Sequence, residues 1–261
     1  MAAVYQSEAS PLYQYVLGLG DDALVLGQRW CEWLSKGPNL ELDIASSNLA
    51  LDLLGQAELL LGYAAEVEGK GRTADDLAYL RDAHDFRNHW LVEQPNDNWG
   101  VSIARMLMFS LYQYHRLEAL TKSRDTFLSE FASKALKEVT YHRRFSAEWT
   151  IRLGQGTEES SRRVQKGFND LWRFVPELFE TIESEHALAE EGVAVASVDL
   201  RGSWEADLDQ VLEQAGLVKP EGTGRLMGSR HNGHHSEHLG MLLCELQYLQ
   251  RAYPSSAGAN W

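Results

Sequence analysis

The sequence predicts an all-α protein, an antiparallel bundle of long helices with additional shorter ones. Three observations predict it. Apolar residues recur at three and four positions along most of the chain, the helical period. Period-two runs rich in β-branched residues, which would signal strands, are missing. The long periodic stretches are separated by short breaks containing Gly, Pro or Asn. Helices of 20–30 residues span roughly 30–40 Å and, joined by short loops, pack antiparallel.

In chain order, the first helix is expected over 11–35, stopped by Gly37–Pro38. A second runs over 40–67 and ends at Gly69, and a third, shorter one covers 74–90. The stretch EQPNDNWG (93–100) is a turn by composition. A fourth helix covers 100–121, and a fifth 125–153 with Asp125 as its N-cap. A sixth starts after Thr157, with Glu158 and Glu159 favourably placed in its first turn. Pro176 must kink or split it near 175. Ser203 is read as the cap of a helix over 204–215 that ends at Gly216. A Gly-rich loop over 216–233 precedes a last helix over 234–252 and the tail PSSAGANW. No internal repeat marks a boundary, so residues 1–261 are read as one domain.

Of the 261 residues, 24 are Lys or Arg and 38 are Asp or Glu, a net charge of −14. That balance gives no basic face for nucleic acid. The apolar run LLLGYAA at 59–65 is far shorter than a membrane span. Cys31 and Cys244 form no CxxC pair or disulfide framework, and the start MAAVYQSEASPLYQ has no signal-peptide pattern. A cytoplasmic protein is expected.

Polar residues stand where a core should be. The helix SNLALDLLGQAELLLGYAA is apolar nearly all round, yet Asn48, Asp52 and Gln56 form a stripe four residues apart, with Gly55 beside them. A buried carboxylate needs a partner. Asp21 and Asp22 precede an apolar run, and Arg29, two turns on, could return to Asp22. Arg105 and Ser110 lie among apolar neighbours, and KEVTYHRRF (137–145) carries Glu138 and His142.

Di-iron carboxylate bundles place a Glu on one helix and Glu-x-x-His on the next, twice over. The separations fit: Asp22 to Asp52 is 30 residues and Ser110 to Glu138 is 28. The chemistry does not. Asp52-Leu-Leu-Gly55 has Gly where His is required, Glu138-Val-Thr-Tyr141 has Tyr, and Ser110 replaces a carboxylate. His142 sits at i+4 from Glu138, out of register. The reading is a degenerate metal site, with Arg29, Arg105 and His142 supplying the missing positive charge through a buried ion-pair network. A self-sufficient di-iron protein using Asp22, Asp52, Glu138 and His142 is the alternative.

Residues 234–238, HHSEH, match the H-x-x-E-H zinc-peptidase pattern. His234 and His238 would share a helical face, with His231 and His235 nearby. A zinc peptidase using His234, Glu237 and His238 is therefore a third reading. It lacks a downstream ligand other than Glu245 on the same helix; adventitious metal binding is compatible with the cluster. Gly222-x-Gly224 lacks dinucleotide-site spacing, and neither GK[ST] nor GxSxG occurs.

Several runs together carry a family resemblance: LGLGDDALVLGQRWCEW, ELDIASSNLALDLLGQAE, LVEQPNDNW, KEVTYHRRFS, LWRFVPELF and HSEHLGMLLCELQYLQR with Trp261. They are spread from about residue 14 to residue 261, and the chain resembles the structural C-subunit (PaaC) family of bacterial phenylacetyl-CoA epoxidase, a multicomponent monooxygenase. The resemblance implies a ferritin-like fold and a homologous catalytic partner subunit that holds the di-iron centre. It implies that the enzyme adds one oxygen atom from O₂ across the aromatic ring of phenylacetyl-CoA, with NADPH electrons arriving through a separate reductase subunit. It implies no catalytic residue and no cofactor in this chain, which would be a scaffold in phenylacetate degradation. The expected interface is the first two long helices, from the all-round apolar character of 49–65, with a homodimer as the possible form in isolation.

Overall fold

The computed structural model describes residues 10–180, 182–222, 224 and 228–254. Trp261, the N-terminal residues 1–9 and the side chain of His231 lie outside the described residues. Two helical hairpins form the bundle. Helix α1 (Pro11–Cys31) pairs with α2 (Leu40–Glu68), and α5 (Trp99–Leu120) pairs with α6 (Thr126–Gly154). Shorter helices surround them: α3 (Ala74–Tyr79), α4 (Trp90–Glu93), α7 (Glu158–Leu171), α8 (Val175–Leu178), α9 (Glu183–Glu190), α10 (Arg201–Ala215), α11 (Ser229–Asn232) and α12 (Glu237–Ala252). Among the described residues there is no strand.

The helix ends follow local chemistry. Ser10 caps α1 with Pro11 at its first position, where a missing N–H costs nothing. Asn39 Oδ1 accepts from Leu42 N at 2.9 Å, and Asp125 Oδ1 accepts from Leu128 N at 2.9 Å, as the sequence indicated for Asp125. Gly69 and Gly216 close α2 and α10 in the left-handed conformation, with φ of 69° and 67°. The α-helix gives way to a 3-10 turn at 172–174, and the next short helix begins at Val175 with Pro176 in its first turn.

Four expected boundaries differ. The first helix, expected to reach 35, ends at Cys31 and gives way to tighter turns in which Trp33 N donates to the Trp30 carbonyl and Leu34 N to that of Cys31. The helix predicted over 74–90 stops at Tyr79, and residues 86 and 89 are extended. The reason lies in α1. Asp21 Oδ2 accepts from Arg87 N at 2.8 Å and Asp22 Oδ1 from His89 N at 2.9 Å. Two buried carboxylates thus take up backbone N–H groups that a helix would have used. The last helix starts at Glu237 instead of 234, because Glu93 Oε1 accepts from Ser236 N at 2.7 Å and holds the preceding residues extended. Helix α10 starts at Arg201, so Ser203 lies inside its first turn.

The core runs the length of the bundle. Trp30 is fully buried, edge-on to Trp99 and Phe145, and its Nε1–H points at Met106 Sδ, 3.2 Å away. Helix α7 crosses α5 at two glycines. A Cβ on Gly167 would lie 2.9 Å from Val101 Cα, and one on Gly100 2.9 Å from Val164 N. Gly167→Ala is therefore expected to destabilise by about 1–3 kcal/mol, against the usual helix gain of alanine over glycine. Thermal melts of the two proteins check this; an unchanged or raised Tm contradicts the crossing.

Candidate functional site: carboxylates in the bundle interior

Helix α1 carries two adjacent buried carboxylates on different faces. Asp21 pairs with Arg81, whose Nη1 donates to Oδ2 at 3.0 Å while its guanidinium covers the Phe86 ring. Asp22 faces His89 and α5. His89 Nδ1 lies 2.9 and 3.0 Å from its two oxygens, and Arg116 Nη2 lies 3.4 Å from Oδ2. Burial pushes the Asp22 carboxyl upward, but His89, its backbone N–H and Arg116 outweigh that and hold it below the ordinary carboxylate value.

Three more buried carboxylates anchor the C-terminal segment. Glu185 accepts from Ser197 N at 2.8 Å and pairs with Arg230 at 3.0 Å. Burial raises its carboxyl, and Arg230 with the Ser197 N–H more than reverses the effect. Glu177 accepts from Trp90 N (2.8 Å) and from the Ser229 hydroxyl (2.6 Å). Glu93 accepts from Asn88 Nδ2 (2.9 Å) and faces His235 Nδ1 (2.8 Å). Residues 229–236 are thus fastened by charge-assisted bonds, the stronger kind.

Asp22 and Glu185 both lie below their unfolded values of about 3.9 and 4.3. A depressed folded value means that the stabilisation is complete above the unfolded value and is lost as pH falls through the folded one. Stability is expected to hold from about pH 7 to 5 and to fall steeply below about pH 4. Urea midpoints across that range test it; a midpoint that stays level down to pH 3 contradicts it.

The positions picked out by the di-iron spacing do not converge. Asp52 and His142 meet at 3.0 Å along the seam between α2 and α6, where Asp52 keeps 33% of its side-chain surface exposed. One turn away Gln56 Nε2 donates to Glu138 Oε2 at 2.8 Å. Ser110 faces Ser146 at 3.1 Å between α5 and α6. Among the described residues nothing lies within 4 Å of a Cβ on Gly55, and Tyr141 is half-buried beside Phe145. Asp22 belongs to the separate cluster on His89 and Arg116. Among the described residues no three His, Cys, Asp or Glu side chains gather as metal ligands. The acids are already met by N–H donors, so this set does not fit a di-iron centre.

Arg29 and Arg105 do not supply the neutralising charge. Arg29 donates to the Glu93 carbonyl (3.0 Å) and to Glu32, and Arg105 donates to the Gln94 carbonyl and to Asn96. Both hold the 93–96 turn, whose backbone carbonyls would otherwise lie unpaired in the core. Arg116, which sequence reading passed over, takes that role at Asp22, and His89 hydrogen-bonds the same carboxylate. Arg116 in YQYHRL gave one signal, a cation on a helix otherwise buried along its length.

The HHSEH residues do not share a face. His234 is exposed; its carbonyl accepts from Trp90 Nε1 at 2.6 Å. His235 turns inward between Glu93 and the Phe86 carbonyl (3.0 Å from Nε2). Glu237 is the exposed first residue of α12, and the His238 carbonyl accepts from Arg29 at 3.2 Å. The zinc reading needed a helix through 234–238, and the Glu93 bonds prevent it.

The cleft at the α2–α6 seam, bordered by Leu51, Asp52, Gly55, Leu59 and Glu138, holds about 150 Å³. Small-molecule sites run from about 300 Å³ upward. Among the described residues no helix is long and apolar enough to cross a membrane.

Fold and site together define a ferritin-like helix bundle whose interior acids pair with the chain's own arginines, histidines and backbone. The chain belongs to the phenylacetic acid catabolic protein family, whose model matches residues 2–261. It is similar to the C subunit of the 1,2-phenylacetyl-CoA epoxidase of Escherichia coli (strain K12). The two are 45% identical over 250 residues, 96% of this chain and 99% of that protein.

Proposed function

We propose that this chain is a non-catalytic structural subunit of a phenylacetyl-CoA epoxidase, supporting a homologous di-iron catalytic subunit in phenylacetate degradation. The observation that carries the reading is the pairing of Asp22 with His89 and Arg116, and of Asp52 with His142. Carboxylates so occupied meet side chains of their own chain in place of iron. The similarity to an epoxidase C subunit over 96% of the chain supports the assignment to that enzyme, and with it the other epoxidase subunits as partners.

Helix α2 supports the docking role. Its inner side is buried, and its outer side exposes Leu40 (70%), Ile44 (53%), Leu51 (67%) and Leu59 (41%). Gly55, between the last two, leaves room for a partner's backbone to come close. Helix α1, expected to share the interface, is buried along almost its whole length and presents no such face. An apolar helix face left open on a charged surface is characteristic of a protein interface. In isolation the same face is available to a second copy of this chain.

The test is reconstitution. This chain co-expressed with the di-iron subunit is expected to co-purify with it at a one-to-one ratio, and Glu138→Ala or His142→Ala in this chain should leave turnover by the complex within about twofold. A drop of about a hundredfold or more in turnover, with the complex still assembled, would place catalytic groups here and overturn the reading.

A further inference from the structure

Buried polar atoms are paired with protein or with ordered water. Around Tyr112 several are not paired with protein. Among the described residues, the Tyr15 hydroxyl, His89 Nε2, Asn88 Oδ1 and Arg230 Nη1 have no hydrogen-bond partner. Tyr15, Asn88 and His89 are 0% exposed and Arg230 is 5% exposed, so bulk solvent does not serve them.

These atoms belong to one continuous structure. His89 and Arg116 both hold Asp22, and Arg116 Nη1 reaches the Tyr112 hydroxyl at 3.4 Å. That hydroxyl lies 2.8 Å from Ser197 Oγ, Ser197 N donates to Glu185, and Glu185 pairs with Arg230. The His89 ring stands edge-on to Tyr112, centroids 5.6 Å apart. Arg230 Nη2 lies against Gly18, one turn along α1 from Tyr15.

The chemistry of this lining selects its occupant. Two carboxylates, Asp22 and Glu185, face two guanidiniums, Arg116 and Arg230. The two guanidiniums offset the two carboxylates, so neither a further anion nor a further cation is called for. An apolar molecule would leave every open polar atom unmet. The open set is mixed: Arg230 Nη1 can only donate, Asn88 Oδ1 accepts, Tyr15 does both, and His89 Nε2 donates or accepts according to its tautomer. Water, which donates two and accepts two hydrogen bonds, matches such a set.

We propose that the interior between α1, the 86–89 segment, α5, α9 and α11 holds a small group of ordered water molecules bonded to Tyr15 Oη, His89 Nε2 and Arg230 Nη1. This inference concerns the chain alone and does not rest on the docking role. The buried ion pairs are then a wet network, in which water carries the hydrogen bonding from α1 to the C-terminal segment.

A crystal structure of the full chain, at a resolution where single waters refine, tests the proposal. The expected result is fully occupied solvent peaks within hydrogen-bonding distance of these three atoms. In Tyr15→Phe the peak beside the ring should weaken or vanish, with the backbone unchanged. Oxygen-17 relaxation dispersion in solution should count fewer long-lived waters in that variant. Direct protein–protein bonds closing on all three atoms in the wild-type map, with no solvent density between, would overturn it. Long-lived water counts unchanged in a folded Tyr15→Phe would overturn it equally.

Discussion

Asp22→Ala is expected to cost about 3–5 kcal/mol of folding stability at neutral pH. The substitution removes the shared partner of His89 and Arg116, which are fully and almost fully buried. Arg116 keeps its bonds to Gln113 and stays over the Tyr112 ring at 4.7 Å, but no carboxylate then offsets its charge. The His89 backbone N–H also loses its acceptor, so the extended 86–89 segment loses one of the two bonds that keep it from becoming helix. Urea denaturation reads the loss directly. A cost under about 1 kcal/mol would mean that the pair is not the structural element described here. A control separates charge from packing: replacing Asp22 and Arg116 together with apolar residues of similar size should recover much of the loss, because a buried pair costs nearly as much to desolvate as it returns.

Leu51→Arg combined with Leu59→Arg is expected to abolish assembly with the catalytic subunit while leaving the isolated chain folded. The two side chains are 67% and 41% exposed, so the isolated protein should change in stability by about 0.5 kcal/mol or less at each site. Buried in an interface, each would place an unpaired guanidinium against apolar surface. Losses of about 2 kcal/mol or more per central residue are usual there, and the pair should weaken association by several hundredfold or more. Size-exclusion chromatography of the mixed subunits decides it. Undiminished complex formation would move the interface off α2.

The long helices were legible because each carries its own evidence: period, cap and stop lie within a few residues of one another. Asp125, Gly69, Pro176 and Gly216 punctuate the structure as their local chemistry dictates. The 74–90 segment was misread because its conformation is decided by carboxylates 66 and 67 residues away. The same distance hid the partners of the core acids. Periodicity shows that Asp22 and His142 face inward, and it cannot show that the first meets His89 and Arg116 while the second meets Asp52. Arg29 and Arg105 are buried as their apolar neighbours suggested, but a guanidinium satisfies carbonyls as well as carboxylates, and composition does not separate the two uses. In HHSEH the helical spacing depended on where α12 begins, which Glu93, 142 residues before His235, decides.

Metal content tests the central claim most directly. This chain, expressed alone, untagged and purified without chelators from iron-supplemented cells, should contain far less than one iron per polypeptide and catalyse no epoxidation of phenylacetyl-CoA with a reductase. Close to two irons per chain, as a bundle with a full set of carboxylate and histidine ligands holds, together with turnover in the absence of any second subunit, would contradict the account.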